Sequence, residues 1–146
     1  MPLFRGEGIV KPTLLDTDIL SMYFRGDETV TANVDKYFGQ YQKANLSIIT
    51  YYEIVSGLKY RDAKKQLNSF LGFASQNITL LLTEESVTTS AEIYADLRKK
   101  GQPIDDIDLL IAGIAVSNNL VLATNNESHF KRIKDLKIVN WSHKVF

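Results

Sequence analysis

Acidic residues stand at the points where short apolar runs end or amphipathic runs begin. Asp16 closes Thr13-Leu14-Leu15, and Glu53 stands three residues after Thr50, just past the β-rich run 45–49. Asp105, Asp106 and Asp108 open the apolar run 107–116, and Asn126 follows the run 121–124 by two positions. Single members have ordinary explanations. Thr50-x-x-Glu53 has capping-box spacing, Asp105 and Asp108 have cap and third-position spacing, and Asp18 suits an N-cap. Asp16 is harder to explain that way, because an unpaired carboxylate behind two leucines is costly to bury. The conjunction suggests metal chemistry. Clustered carboxylates repel one another unless a cation sits between them. Hard oxygen ligands suit Mg²⁺ or Mn²⁺. Such an ion lowers the pKa of a bound water and clamps the oxygens of a phosphodiester during in-line displacement.

Composition narrows the choice the same way. The chain has no cysteine, which excludes disulfides, thiolate zinc sites, iron–sulfur clusters and thiol catalysis. His129 and His143 are the only histidines, so a histidine-rich metal site is excluded too. Lysine plus arginine number 17, as do aspartate plus glutamate. That balance argues against a strongly basic nucleic-acid binder and leaves room for a local patch. Setting Asp16, Glu53 and Asp108 aside leaves 17 cations against 14 acids, a mildly basic exterior around an acidic pocket.

The elements that must position these residues follow from periodicity. With 146 residues, 45% hydrophobic, the chain is sized for one globular domain. Residues 1–11 read as a short, loose leader and 12–146 as the domain. Neither a signal peptide nor a membrane-spanning run is visible, so a cytoplasmic protein is expected. Strands are expected at 13–15, 45–49, 78–82, 121–124 and 137–141. Helices are expected from Asp18 to Gly26, over 30–41, from Thr50 to Tyr60, over 63–71 and over 87–97. A buried helix is expected over 107–116, and a loop or short helix over 126–133. Short apolar strands alternating with helices predict an α/β sandwich with a mostly parallel sheet, whose ligand sites lie at the carboxyl ends of its strands.

The segments LLDTDILS at 14–21, LSIITYYEIVSGL at 46–58, GQPIDDIDLLIAGIAV at 101–116 and LVLATNNESHFKRIKDLKIVNW at 120–141 together resemble a PIN domain. More narrowly, they are similar to the VapC-type toxins of bacterial and archaeal toxin–antitoxin pairs. The resemblance covers the chain after Pro12, in order. It implies a three-layer sandwich with a mostly parallel four- or five-stranded sheet flanked by helices. It also implies a metal-dependent endoribonuclease in which Asp16, Glu53 and Asp108 hold Mg²⁺ or Mn²⁺. Asp105 and Asp106 would be accessory acids. The fourth family position, often Asp, is Asn126 here and can ligate only through a neutral carbonyl, which leaves one-metal and two-metal operation open. Thr17 and Thr124 also match family positions, where their hydroxyls would orient carboxylates. His129 falls on a variable position and reads as a surface or packing residue. In-line attack by water would leave 5′-phosphate and 3′-hydroxyl ends.

The resemblance further implies an RNA substrate, a small VapB-type antitoxin that blocks the acidic site, and a homodimer. Candidate RNA-binding cations are Arg61, Lys64, Lys65, Arg98, Lys99, Lys131 and Arg132, any of which also suits a solvated helix face. The aromatics Tyr23, Phe24, Tyr37, Phe38, Tyr41, Tyr51 and Tyr52 suit either a groove for the antitoxin or the core. Two rival functions stand beside this one. A PIN-like binding module without cleavage is suggested by Asn126. A haloacid-dehalogenase-type phosphatase is suggested by Leu14-Leu15-Asp16-Thr17-Asp18, with Asp16 as nucleophile and Asp18 as acid. Its later acidic pair should follow a strand, whereas Asp105-Asp106 follow Pro103.

Overall fold

A computed structural model describes residues 10–145. Five strands form one sheet: β1 (Thr13–Leu15), β2 (Asn45–Ser47), β3 (Ile78–Leu80), β4 (Val121–Ala123) and β5 (Ile138–Val139). Their order is β3-β2-β1-β4-β5 and every pairing is parallel. Connecting them are helices α1 (Thr17–Phe24), α2 (Glu28–Phe38), α3 (Ile48–Tyr60), α4 (Lys64–Gln76), α5 (Glu84–Lys99), α6 (Asp106–Ser117) and α7 (Glu127–Phe130).

Period-two alternation along these strands sorts the core into two layers. Leu15, Leu46 and Ala123 pack with α1–α4 and with Trp141 on one face. Leu14 and Leu122 pack with α5, α6, Phe130 and Ile133 on the other. The result is the expected three-layer sandwich, with all five strands parallel. The chain reverses its winding direction between β1 and β4, so the crevice at their carboxyl ends is where such a fold seats a ligand.

Several boundaries differ from the sequence reading, and the differences concern caps. The first helix begins at Thr17 because Asp16 itself is the N-cap, its carboxylate accepting from the Thr17 N–H at 2.8 Å. Asp18 is therefore inside the helix. The third helix begins at Ile48, since Ser47 both ends β2 and caps α3 by accepting from the Thr50 N–H at 3.0 Å. Glu53 is thus released from any capping duty. Asp105 caps α6 by position but makes no side-chain cap hydrogen bond. Of the expected leader, residues 1–9 lie outside the described residues. Val10 is buried, with its N–H donated to Gln40 and its carbonyl accepting from Gln40 and Tyr41. Among the described residues no helix is long and apolar enough to cross a membrane.

Candidate active site

Asp16 is buried at 5% exposure, where β1 meets α1. One carboxylate oxygen accepts from the Thr17 N–H, and the other accepts from Thr124 Oγ1 at 2.7 Å. Both bonds favour the charged form. Burial, then the neighbouring Asp18 and Asp108, oppose them and raise the Asp16 pKa to about 7. Glu53 arrives from α3, and Thr17 Oγ1 donates to its Oε1 at 2.6 Å. The Thr17 hydroxyl also lies 2.9 Å from Thr50 Oγ1. Because the single Thr17 proton goes to the carboxylate, Thr50 is the donor in that pair. One residue, Thr17, therefore couples Asp16 through its backbone and Glu53 through its side chain.

Asp108, half-buried in the first turn of α6, accepts from Asn126 Nδ2 at 3.4 Å and has His129 Nδ1 3.6 Å away. Burial raises its pKa; His129 lowers it, and Asp105 and Glu53 raise it. Asn126 is tied in turn, with its N–H on Thr124 Oγ1 at 3.0 Å and its amide nitrogen 3.0 Å from His129 Nδ1. His129 thus faces the acids instead of serving only as a surface or packing residue. Thr124 joins both halves, donating to Asp16 and accepting from Asn126.

Asp18, which the sequence suits to an N-cap or to the acid of the phosphatase reading, instead sits within α1 beside Asp16. Its Oδ2 accepts from the Asn125 N–H at 3.0 Å, while its Oδ1 is buried with no hydrogen-bond partner. Burial raises its pKa, with Asp108 adding to the effect. Its spacing from Asp16 was the available signal. The Asn125 turn that holds Asp18 is braced from the chain's end: Asn140 Nδ2 donates to Asn125 Oδ1 at 3.0 Å and to Glu127 Oε2 at 2.7 Å. Asp105 and Asp106 are exposed. They open a helix and follow no strand, so the acidic pair that the phosphatase reading needs is out of place.

The predicted cations separate into groups. Arg61 and Lys65 line a groove of about 560 Å³ that also reaches Thr17 and Glu53, joined there by Arg25, which sequence reasoning missed. Lys64, Lys99 and Lys131 are exposed elsewhere. Arg132 donates to the Pro103 carbonyl at 3.0 Å, and the Arg98 guanidinium lies 4.8 Å from the Tyr94 ring centroid. Of the early aromatics, Tyr37 is core, stacked on Tyr41 and tilted against Trp141, whereas Phe24 reaches the groove.

Among the described residues no three acidic or histidine side chains stand together as a group that could hold a metal ion. The donor chemistry nevertheless fits a hard divalent ion. Asp16, Asp18, Asp108 and Glu53 supply only oxygen; beyond burial, Asp18 and Asp108 push the Asp16 pKa up, Asp108 pushes that of Asp18 up, and Glu53 pushes that of Asp108 up. The buried, unpartnered Asp18 Oδ1 is the kind of atom that a cation or water satisfies.

The PIN domain family model matches residues 13–136. The chain belongs to the PIN-domain family. Within it, the chain is 32% identical to "Ribonuclease VapC1" of Methanocaldococcus jannaschii, covering 84% of this chain and 81% of that one. It is 30% identical to the "tRNA(fMet)-specific endonuclease VapC" of Shigella flexneri, covering 88% and 97%. These likenesses place it among the VapC proteins. Among solved structures, this PIN domain superposes on the VapBC2 complex of Rickettsia felis bound to a promoter DNA fragment. That match has a TM-score of 0.80 at 28% identity and covers 88% of this chain and 98% of that one. DNA-bound VapBC of Salmonella typhimurium gives 0.80 at 28% identity, over 90% and 99%.

Proposed function

We propose that this VapC-family protein is a divalent-metal-dependent endoribonuclease and the toxin of a toxin–antitoxin pair. The observation that carries the reading is the convergence of Asp16, Glu53 and Asp108 at one edge of the parallel sheet, linked through Thr17, Thr124 and Asn126. The relatives named as ribonucleases and the VapBC complexes support it.

Asp16, Glu53 and Asp108 would hold Mg²⁺ or Mn²⁺, with Asp18, Asp105, Asp106 and the neutral Asn126 carbonyl as further oxygen donors. Such an ion, when bound, supplies charge neutralisation at the phosphodiester and acidifies water. The chain's own residues do the positioning. The Thr17 N–H and the Thr124 hydroxyl fix both oxygens of Asp16, and the Thr17 hydroxyl fixes one oxygen of Glu53. These bonds hold the carboxylates in place before any ligand arrives, which spares the site that reorganisation.

RNA is the proposed substrate, and a VapB-type antitoxin covering the acidic edge is the proposed partner, in an assembly built on a homodimer. The test is cleavage of RNA by the purified protein with Mn²⁺ and with EDTA, alongside Asp16→Asn. We expect 5′-phosphate and 3′-hydroxyl ends with Mn²⁺ and none with EDTA. Loss of activity in Asp16→Asn should be at least about a hundredfold, the scale for removing a group that stabilises developing charge. Cleavage in EDTA, or undiminished cleavage by the variant, would sink the assignment. Asn126 favours a second reading, a binding module without cleavage. Mn²⁺ binding heat without turnover would identify it.

A further inference from the structure

We propose that the groove between α1, α3 and α4 is a subsite for one unpaired nucleotide of the RNA strand, stacking its base on Phe24 and taking its phosphate on Arg25, Arg61 and Lys65. This inference rests on the ribonuclease reading. The groove is continuous with the acidic site, because Thr17 and Glu53 line both. A strand whose phosphodiester lies at Glu53 therefore carries its neighbouring nucleotide into it. At about 560 Å³ the space suits a ligand of nucleotide size.

The lining matches the two halves of a nucleotide. Phe24 is held by edge-to-face contacts with Tyr23, Phe70 and Phe73, at centroid separations of 5.3, 5.8 and 5.3 Å, yet remains 39% exposed. A rigid, partly open aromatic ring is a stacking platform that accepts any base. Ile54, Leu58 and Phe70 continue the apolar floor. Three cations line the groove against the single acid Glu53, so it favours an anion. The shared class is a flat apolar body carrying negative charge, and every nucleotide brings both parts.

Gly57 gives an independent indication. It lies inside α3, where glycine destabilises a helix relative to alanine. A Cβ there would meet only Arg61 Nη1, at 3.6 Å, an ordinary contact with a flexible arm. Packing within the fold does not require this glycine. What it does is leave the groove floor open beneath the cations.

The experiment measures binding of a fluorescein-labelled single-stranded RNA by anisotropy in EDTA, where metal-dependent cleavage is off. Phe24→Ala should weaken binding about tenfold, the scale of one lost base stack. Gly57→Leu fills the groove without removing a core contact and should weaken it comparably. Gly57→Ala, which adds only one methyl to the groove floor, should weaken binding less than Gly57→Leu and melt no lower. A fully paired RNA duplex should compete poorly, since its bases are not free to enter. Wild-type affinity in both Phe24→Ala and Gly57→Leu overturns the subsite, as does failure of the wild type to bind single-stranded RNA. Unchanged RNA binding together with loss of a VapB-type antitoxin also overturns it, assigning the groove to protein docking. The ribonuclease reading fails differently. Wild-type binding that the groove variants weaken, with no cleavage in Mn²⁺, refutes the nuclease and supports the subsite.

Discussion

Asp16 shows in one side chain how a site can be held at the expense of the fold. Its two hydrogen bonds stabilise the carboxylate, yet burial and the adjacent Asp18 and Asp108 outweigh them and lift its pKa from 3.8 to about 7. A raised folded-state pKa means that the unfolded chain gives up the Asp16 proton first as pH rises. The metal-free fold therefore loses stability progressively between about pH 4 and pH 7, and the loss is complete above that window. Its scale is on the order of a few kcal/mol. Burial raises Asp18 and Asp108 in the same direction. Asp16→Asn keeps the shape and removes the charge. We expect it to melt several degrees above wild type at pH 8 in EDTA, with the gap closing toward pH 4. Thermal melts across that pH range are the measurement, and a variant that melts below wild type at pH 8 refutes the charge-burial account. The same substitution is expected to abolish cleavage, so stability and activity part company at this residue.

Elements deliver these residues, and the most extensive contact between elements is the packing of α5 on α6. A Cβ on Gly113 of α6 would collide with the Ser90 hydroxyl and with the Ser86 backbone carbonyl of α5. A hydroxyl can rotate away, but a helix carbonyl cannot. Gly113→Ala must therefore push α6 off α5, costing about 1–3 kcal/mol, and it displaces Asp108, which α6 carries in its first turn. Gly72→Ala on α4 meets nothing within 4 Å and should be neutral or stabilising. Urea unfolding of the pair separates a steric effect from a general one. The apolar run 107–116 with its small residues made this buried helix legible in the sequence. The convergence of acids was legible too, because parallel strands align their carboxyl ends. The caps were less so. Ser47-x-x-Thr50 and Thr50-x-x-Glu53 read alike locally, and only the end of β2 at Ser47 decides between them. The groove was legible only in pieces. Phe24, Arg61 and Lys65 were visible as candidates, but that they join Arg25 and Gly57 around one space follows only from the tertiary packing of α1, α3 and α4. His129 is partly exposed, as a surface residue should be, but its place beside Asp108 was not legible because nothing local announces that α7 faces that acid.

At the scale of the molecule, a net charge of zero conceals two opposed fields. The acids gather at the sheet edge, and Arg25, Arg61 and Lys65 gather in the groove that opens beside them. RNA approaching in the absence of a cation meets attraction on one side and repulsion on the other. Two consequences separate this arrangement from a uniformly neutral surface. If the groove cations together neutralise the phosphate of one nucleotide of a single strand, the slope of log K against log salt should be about −0.7. Arg61→Ala should weaken binding most at low salt and make that slope shallower. Removing the repulsion should act in the opposite sense. A variant combining Asp16→Asn, Glu53→Gln and Asp108→Asn should bind RNA several-fold more tightly than wild type in EDTA, although it cannot cleave. Mn²⁺ should tighten binding to the wild type and leave the triple variant unmoved, because the ion acts by neutralising those same carboxylates. Anisotropy titrations of both proteins, with and without Mn²⁺, test this directly. Equal EDTA affinities would show that the acidic edge lies off the path of the RNA.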